Sequence, residues 1–335
     1  MSKSTPTKTP PAVTDQEAKQ PSLPIAPNAH VHVTLPWADV APAYQKAIRR
    51  FSQTAKADGF RKGKVPLEMV EKMVDQSALV EYVLQQVLPA AYAEQVKKDD
   101  KHPVSQPEIE PVEIEKGKDW KLNASFAEAP AINLGDYKAT VKKAKKAAEK
   151  DIADQEAEKP ASLTDQQKDD LRTRQIFKGL VEDIQPQIAE LLVRREADRQ
   201  IRQLLEQLEK LQLTVESYLK SRNITAEQLR LEYLSAAATS LQLEFILAEI
   251  GKTEKLSVDD KEIDEMMTQV FGDTVTKEQT QNDEYRSYVF NTLVKQKIVK
   301  YLLSLQKKVG YTYFELTTRV FKPIIEKHLP QVFVL

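Results

Sequence analysis

The residues best placed for chemistry are the run Gly59-Phe60-Arg61-Lys62-Gly63-Lys64-Val65-Pro66, which joins an aromatic ring to three cations between two helix-breaking residues. From Gln45 to Lys64 seven basic residues, with Lys46, Arg49, Arg50 and Lys56 joining the three of the loop, face one acid, Asp58, for a local charge of +6. Such a patch suits contacts to phosphates, and Phe60 could stack on a base or fill a protein pocket. A nucleotide-binding reading fails on spacing. Gly59-x-x-x-Gly63-Lys64 has one spacer residue too few for a phosphate-cradling loop, and Val65 stands where a hydroxyl would meet magnesium. His30 and His32 lie two apart, yet no carboxylate or further histidine is close in sequence, so the pair reads as one face of a strand rather than a metal site. No cofactor is expected.

The elements that position the loop follow from periodicity. Ala29 to Leu35 alternates, with Val31, Val33 and Leu35 on one face. From Asp39 to Lys56 the apolar residues Val40, Tyr44, Ala47, Ile48, Phe51 and Ala55 fall on one helical stripe, which Gly59 should end. Pro66 suits the first turn of a second helix carrying Met69, Val70, Met73, Leu79, Val83, Val87 and Leu88, expected to bend near Pro89. Glu108–Ile114 and Trp120–Ala127 read as strands around Lys116-Gly117-Lys118.

Residues 1–28 hold six prolines and few large apolar side chains, and are expected to form a flexible tail. Residues 29–137 then make an α+β unit. The interval 138–170 is rich in Ala, Lys, Glu, Asp and Gln with no Gly, Trp, Tyr or Phe, which predicts a charged linker, either a solvated helix or disordered. Residues 171–335 are helix-patterned throughout. Ile188, Leu191, Leu192, Ile201, Leu204, Leu205, Leu208 and Leu211 form one stripe, Thr225-x-x-Gln228 and Ser257-x-x-Asp260 look like helix starts, and Gly251 and Gly310 like stops. The fold class expected is an α+β N-terminal unit followed by an elongated all-α part, mainly helical overall.

Composition narrows the function. The chain lacks cysteine, which removes disulfides and thiolate chemistry, and its net charge of -1 leaves only a regional basic patch to hold nucleic acid. No apolar run reaches the ~18 residues of a membrane span, and the first residues lack an export signal, so a cytoplasmic protein is expected.

The run Gly59 to Pro66 between two helices resembles the ribosome-docking loop of trigger factor, the bacterial nascent-chain chaperone. The strand before Trp37 and the segment Trp120 to Tyr137 resemble that family's N-terminal domain, and Pro186 to Val193 with Glu196, Tyr218-Leu219, Leu247, Ile250 and Ile263 resemble its helical client domain. The resemblance implies an ATP-independent chaperone that meets the large ribosomal subunit, exit-tunnel protein and ribosomal RNA, through Phe60, Arg61 and Lys62. It further implies that nascent or unfolded chains lie on apolar helical surface, for which Leu192, Leu205, Phe245, Ile246, Phe290, Phe314 and Phe321 are the candidates. The chain departs from the family in two places. The interval 138–170 is too short and polar for the family's peptidyl-prolyl isomerase domain, so no enzyme activity is expected, and the Pro-rich segment stands where the family's first strand lies. A free holding chaperone, or a helical scaffold for partner proteins, remains the alternative.

Overall fold

The computed structural model describes residues 23–158, 163–271 and 283–305, and these contain ten helices and five short strands. The N-terminal unit is a three-stranded antiparallel sheet in the order β2 (Ala29–Leu35), β4 (Trp120–Phe126), β3 (Glu108–Glu113). Val31, Val33 and Leu35 face inward with Trp120, Leu122, Ala124 and Phe126, as the alternation predicts. His30 and His32 face solvent, where the His32 ring hydrogen-bonds Asn123 across the strand pair at 2.6 Å.

Three helices cover the inner face: α1 (Trp37–Ser52), α2 (Leu67–Met73) and α3 (Gln76–Lys98). Helix α1 buries Val40, Tyr44, Ala47 and Ile48, but it ends at Ser52, short of the expected Lys56. The hydroxyls of Ser52 and Thr54 donate to the carbonyls of Arg49 and Phe51 and so take up acceptors near the helix end. The single helix expected after Pro66 is two. Val74 is extended, and the Asp75 side chain accepts from the Ser77 N–H at 2.9 Å, starting α3 afresh. Pro89 lies inside α3 on its exposed side, where the carbonyl left without a donor can bond water.

The remaining described chain is helical: α4 (Tyr137–Glu158), α5 (Asp165–Ile184), α6 (Glu190–Lys210), α7 (Val215–Arg222), α8 (Ala226–Thr253), α9 (Asp260–Phe271) and α10 (Asp283–Ser304), with the two-residue strands β1 (Ile25–Ala26) and β5 (Ile188–Ala189). The interval expected to be a linker, solvated helix or disordered, is helical but packed, which corrects the expectation of a solvated segment. Helix α4 buries Tyr137, Val141, Ala144, Ala148 and Ile152, spaced three and four apart, and runs antiparallel to α5. The direction follows from the pairs Thr140 to Asp183 (2.6 Å), Arg172 to Glu149 (2.8 Å) and Lys168 to Glu156 (2.7 Å). Alanine forms much of the buried seam, so the segment looks polar by composition while packing closely; the Ala144 methyl lies 3.3 Å from where a side chain on Gly179 would begin.

The expected tail is also corrected at its end. Ile25 and Ala26 pair in parallel with Ile188 and Ala189, and Ile25 packs against the cluster around Val193, Ala197 and Ala237. Asn28 then caps α6 from a distance: its Oδ1 accepts from the Leu191 N–H (2.8 Å), an acceptor that Ala189 at the helix start lacks. Its amide donates to Glu190 at 2.8 Å.

Gly251 does not stop α8. It lies inside the helix, where an added Cβ would come within 2.9 Å of Ile298 Cδ1, so this glycine permits close approach of α10. The stop is Lys255, at φ 52°, with the Leu256 N–H on the Gly251 carbonyl and the Lys255 N–H on that of Lys252. Thr225 and Gln228 form the reciprocal cap read from the sequence. At the next helix the cap sits two residues later than Ser257, with Asp259 and Glu262 exchanging backbone bonds. Gly310 lies outside the described residues.

One polar junction ties the helices together. Glu254 accepts from Tyr137 Oη at 2.5 Å and pairs with Lys138 at 2.8 Å. The Lys138 ammonium, then the Tyr137 and Tyr301 hydroxyls, draw the Glu254 carboxyl down to about 2, while burial and the bond to Glu254 push the Tyr137 phenol up. Because the folded value lies below the ordinary 4.5, this group's stabilisation is complete above about pH 4.5 and is lost as pH falls towards 2. The Glu254→Gln variant is therefore expected to be less stable than wild type at pH 7 and to converge on it near pH 2 to 3, as urea denaturation at the two pH values would report. Equal losses at both would mean the carboxylate's charge is not the stabilising element.

Candidate functional site

Two tight turns build the loop. The Phe60 N–H donates to the Ala57 carbonyl (3.1 Å) and the Lys64 N–H to the Arg61 carbonyl (2.9 Å). The third residue of each turn is a glycine in the left-handed region, Gly59 at φ 81° and Gly63 at φ 78°. A side chain at Gly59 would meet open space, so only the backbone conformation demands glycine there; at Gly63 it would also approach the Gln53 carbonyl at 3.4 Å. Gly59→Ala is expected to cost about 1 kcal/mol of local order and to weaken function of the loop, with the global melting temperature nearly unchanged. A thermal melt run beside a partner-binding titration checks this, and an unchanged affinity would mean that the turn's shape is immaterial.

The turns display their charge outward. Phe60 is 42% exposed, and Arg61, Lys62 and Lys64 are exposed, as are Arg49 and Lys56. Among the described residues none of these five cations pairs with a carboxylate. Arg50 stacks over the Tyr82 ring at 4.8 Å, so part of its role is to hold α1 on α3. Val65 corrects the expected set: at 5% exposure it is an anchor in the core beneath the loop, not part of its contact surface. Pro66 precedes the first turn of α2, outside the helix.

The far end of the loop is pinned by Glu71 on α2, which accepts from Tyr44 Oη on α1 (3.0 Å) and from Lys116 Nζ at the turn between β3 and β4 (2.5 Å). The Lys116 bond holds the Glu71 carboxyl below its ordinary value, and burial with the Glu71 contact pushes the Tyr44 phenol up to about 12. Met69, Val70 and Met73 were expected on the helix after Pro66. Only Val70 is buried; Leu67, Met69 and Met73 are exposed, Met73 by 51%. A seven-residue helix turns too few residues inward to bury them all, so an apolar strip flanks the basic loop.

The candidate client surface divides. Ile246 is wholly buried among Ile176, Leu180, Ile250 and Ile298, so it supports the core instead of offering surface. Leu192 and Phe245 are partly buried against the cluster of Ile188, Val193 and Ala237. Leu205 and Phe290 are exposed, and Phe314 and Phe321 lie outside the described residues. The structure adds Leu211, Leu213 and Leu231, exposed around the tip where α6, α7 and α8 meet; Leu211 is 68% exposed. Leu211 was legible as the stripe's last member, but the left-handed Gln212 just past α6 turns the chain there, and no periodicity reports that.

The family model of the bacterial trigger factor protein matches residues 19–159, and that of the trigger factor C-terminus matches residues 140–304. The trigger factor of Lactococcus lactis subsp. lactis (strain IL1403) is 40% identical over 113 residues, covering 34% of this chain and 26% of that protein. The trigger factor of Staphylococcus carnosus (strain TM300) is 40% identical over 106 residues, 32% of this chain and 24% of that one. That of Mycobacteroides abscessus is 37% identical over 106 residues, 32% and 22% respectively. The matched part thus spans about a quarter of the length of these relatives. A solved structure described as showing promiscuous substrate recognition in folding and assembly activities of the trigger factor chaperone aligns with a TM-score of 0.52 at 13% identity, over 83% of this chain and 97% of that one. At that identity the likeness concerns the fold.

Proposed function

The chain belongs to the bacterial trigger factor family, whose two models together match residues 19–304, and we propose that it is a ribosome-docking, ATP-independent holding chaperone of the cytoplasm. The observation that carries this reading is the loop from Gly59 to Pro66: an exposed aromatic and three exposed cations without carboxylate partners among the described residues, held on two glycine turns. Unpaired cations on a rigid loop cost little to bring against phosphates, because neither an ion pair nor a mobile backbone must be given up first. In this reading Arg61, Lys62 and Lys64 meet ribosomal RNA beside the exit tunnel, with Arg49 and Lys56 adding field, and Phe60 enters a pocket of the adjoining large-subunit protein.

Emerging chains would then meet the exposed leucines on the arm formed by α6, α7 and the start of α8, namely Leu205 on α6 and Leu211, Leu213 and Leu231 at its tip. Many separate apolar contacts with no nucleotide step give weak holding and fast release. No helix among the described residues is long and apolar enough to cross a membrane. The interval where an isomerase module would be inserted is occupied by the α4 and α5 hairpin, so we expect no catalysis of prolyl isomerisation. A proline-containing test peptide isomerising above its uncatalysed rate would overturn that expectation.

Cosedimentation with 70S ribosomes across a salt series tests the docking role. Binding that weakens steeply with salt supports it. Absence of binding at low salt, with aggregation of unfolded clients still suppressed, would favour a free holding chaperone.

A further inference from the structure

A second apolar surface lies on the N-terminal unit, apart from the loop and the arm. Between α3 and the edge strand β3 an open groove of about 610 Å³ is lined by Val80, Leu84 and Leu88 on one side and by Ile109, Pro111 and Ile114 on the other. It exists because β3 is the last strand of its sheet, so no neighbour covers the inner-face side chains beyond Ile109. No lysine or arginine lines it, while Glu81 does, and among the described residues its carboxylate accepts from the amide of Gln85 at 3.4 Å and pairs with no cation. Glu110, between Ile109 and Pro111, is exposed on the opposite face of β3 and pairs with no cation among the described residues. The outer edge of β3 offers backbone groups to an extended chain, although Pro111 withholds one donor and keeps such pairing short.

We propose that this groove holds an extended stretch of unfolded polypeptide that runs along the edge of β3, whose apolar side chains enter between α3 and β3 and whose basic residues meet Glu81 at the groove and Glu110 on the outer face of the strand. The inference rests on the chaperone reading and adds to it a second client site on the docking unit. Apolar walls supply affinity without sequence demand, and two carboxylates flanking the edge of β3, opposite in sign to the docking loop, select basic flanks and leave that loop free.

The test uses the full chain and a fluorescein-labelled peptide alternating leucine with lysine, with a glutamate twin as the contrast, read by anisotropy. Wild type should bind the lysine peptide about tenfold more tightly than its twin. Leu84→Arg should weaken both by about tenfold, with circular dichroism reporting whether the fold is kept. Glu81→Lys, a change at an exposed position, should reverse the preference between the two peptides. Ribosome cosedimentation should be unchanged in both variants. Wild-type binding that neither variant alters would overturn the groove while leaving the chaperone reading intact, and loss on Leu213→Asp would then place the peptide at the arm. A wild-type dimer in analytical ultracentrifugation that Leu84→Arg dissociates would overturn it in favour of a contact between copies of this chain. Wild type that binds neither peptide nor any unfolded client would fail the broader reading as well.

Discussion

Changing Phe60, Arg61 and Lys62 together to alanine is expected to abolish cosedimentation with 70S ribosomes while leaving thermal stability within about 1 kcal/mol of wild type. Stability should survive because all three side chains are exposed and the bonds that shape the loop are backbone bonds, from Phe60 to Ala57 and from Lys64 to Arg61. Binding should not. Truncating an aromatic anchor at the centre of an interface costs about 2 kcal/mol or more, and each cation lost adds about 1, so affinity should fall by roughly a thousandfold. The residual binding should also respond less to salt. Losing two phosphate contacts lowers the slope of log K against log salt by about 1.5. A variant that sediments as wild type would remove the loop from the docking role, whatever the family resemblance. The Val65→Ala variant supplies the contrast, because it should lose stability through its core position and affect binding only as the loop loosens.

The second large effect separates core from surface in the helical part. Ile246→Ala is expected to cost about 2 to 5 kcal/mol, since the side chain is wholly buried in the cluster that joins α5, α8 and α10. Leu211, Leu213 and Leu231 changed together to serine should leave urea stability nearly unchanged, because each is exposed, and should weaken suppression of client aggregation measured by light scattering. If Ile246→Ala kept full stability and lost holding instead, that residue would be a client contact and the assignment of the core would be wrong. If the triple serine variant held clients as well as wild type, the arm tip would not be the holding surface.

How much of this was legible follows from the range of each interaction. The β2 alternation, the α1 stripe, the Thr225 cap and the two glycines of the loop are short-range facts. They depend on neighbours within a few residues, where period and backbone geometry constrain the answer. The errors share the opposite property. The pairing of Ile25 with Ile188, the Asn28 cap on α6 and the approach of Ile298 to Gly251 join residues far apart in the chain. The packing of α4 was not legible because its seam uses alanine, whose burial depends on how closely α5 approaches, with Gly179 permitting that approach.

The candidate site divides in the same way. Residue types and spacing by themselves determined the basic aromatic loop and its place as an exposed connection between two helices, because charge and helix-breaking residues are local properties. Which apolar residues remain exposed was decided only by the tertiary structure. Leu205 and Ile246 carry the same kind of helical spacing, yet one faces water and the other fills a core, because burial is set by the arrangement of neighbouring helices and not by the period of one.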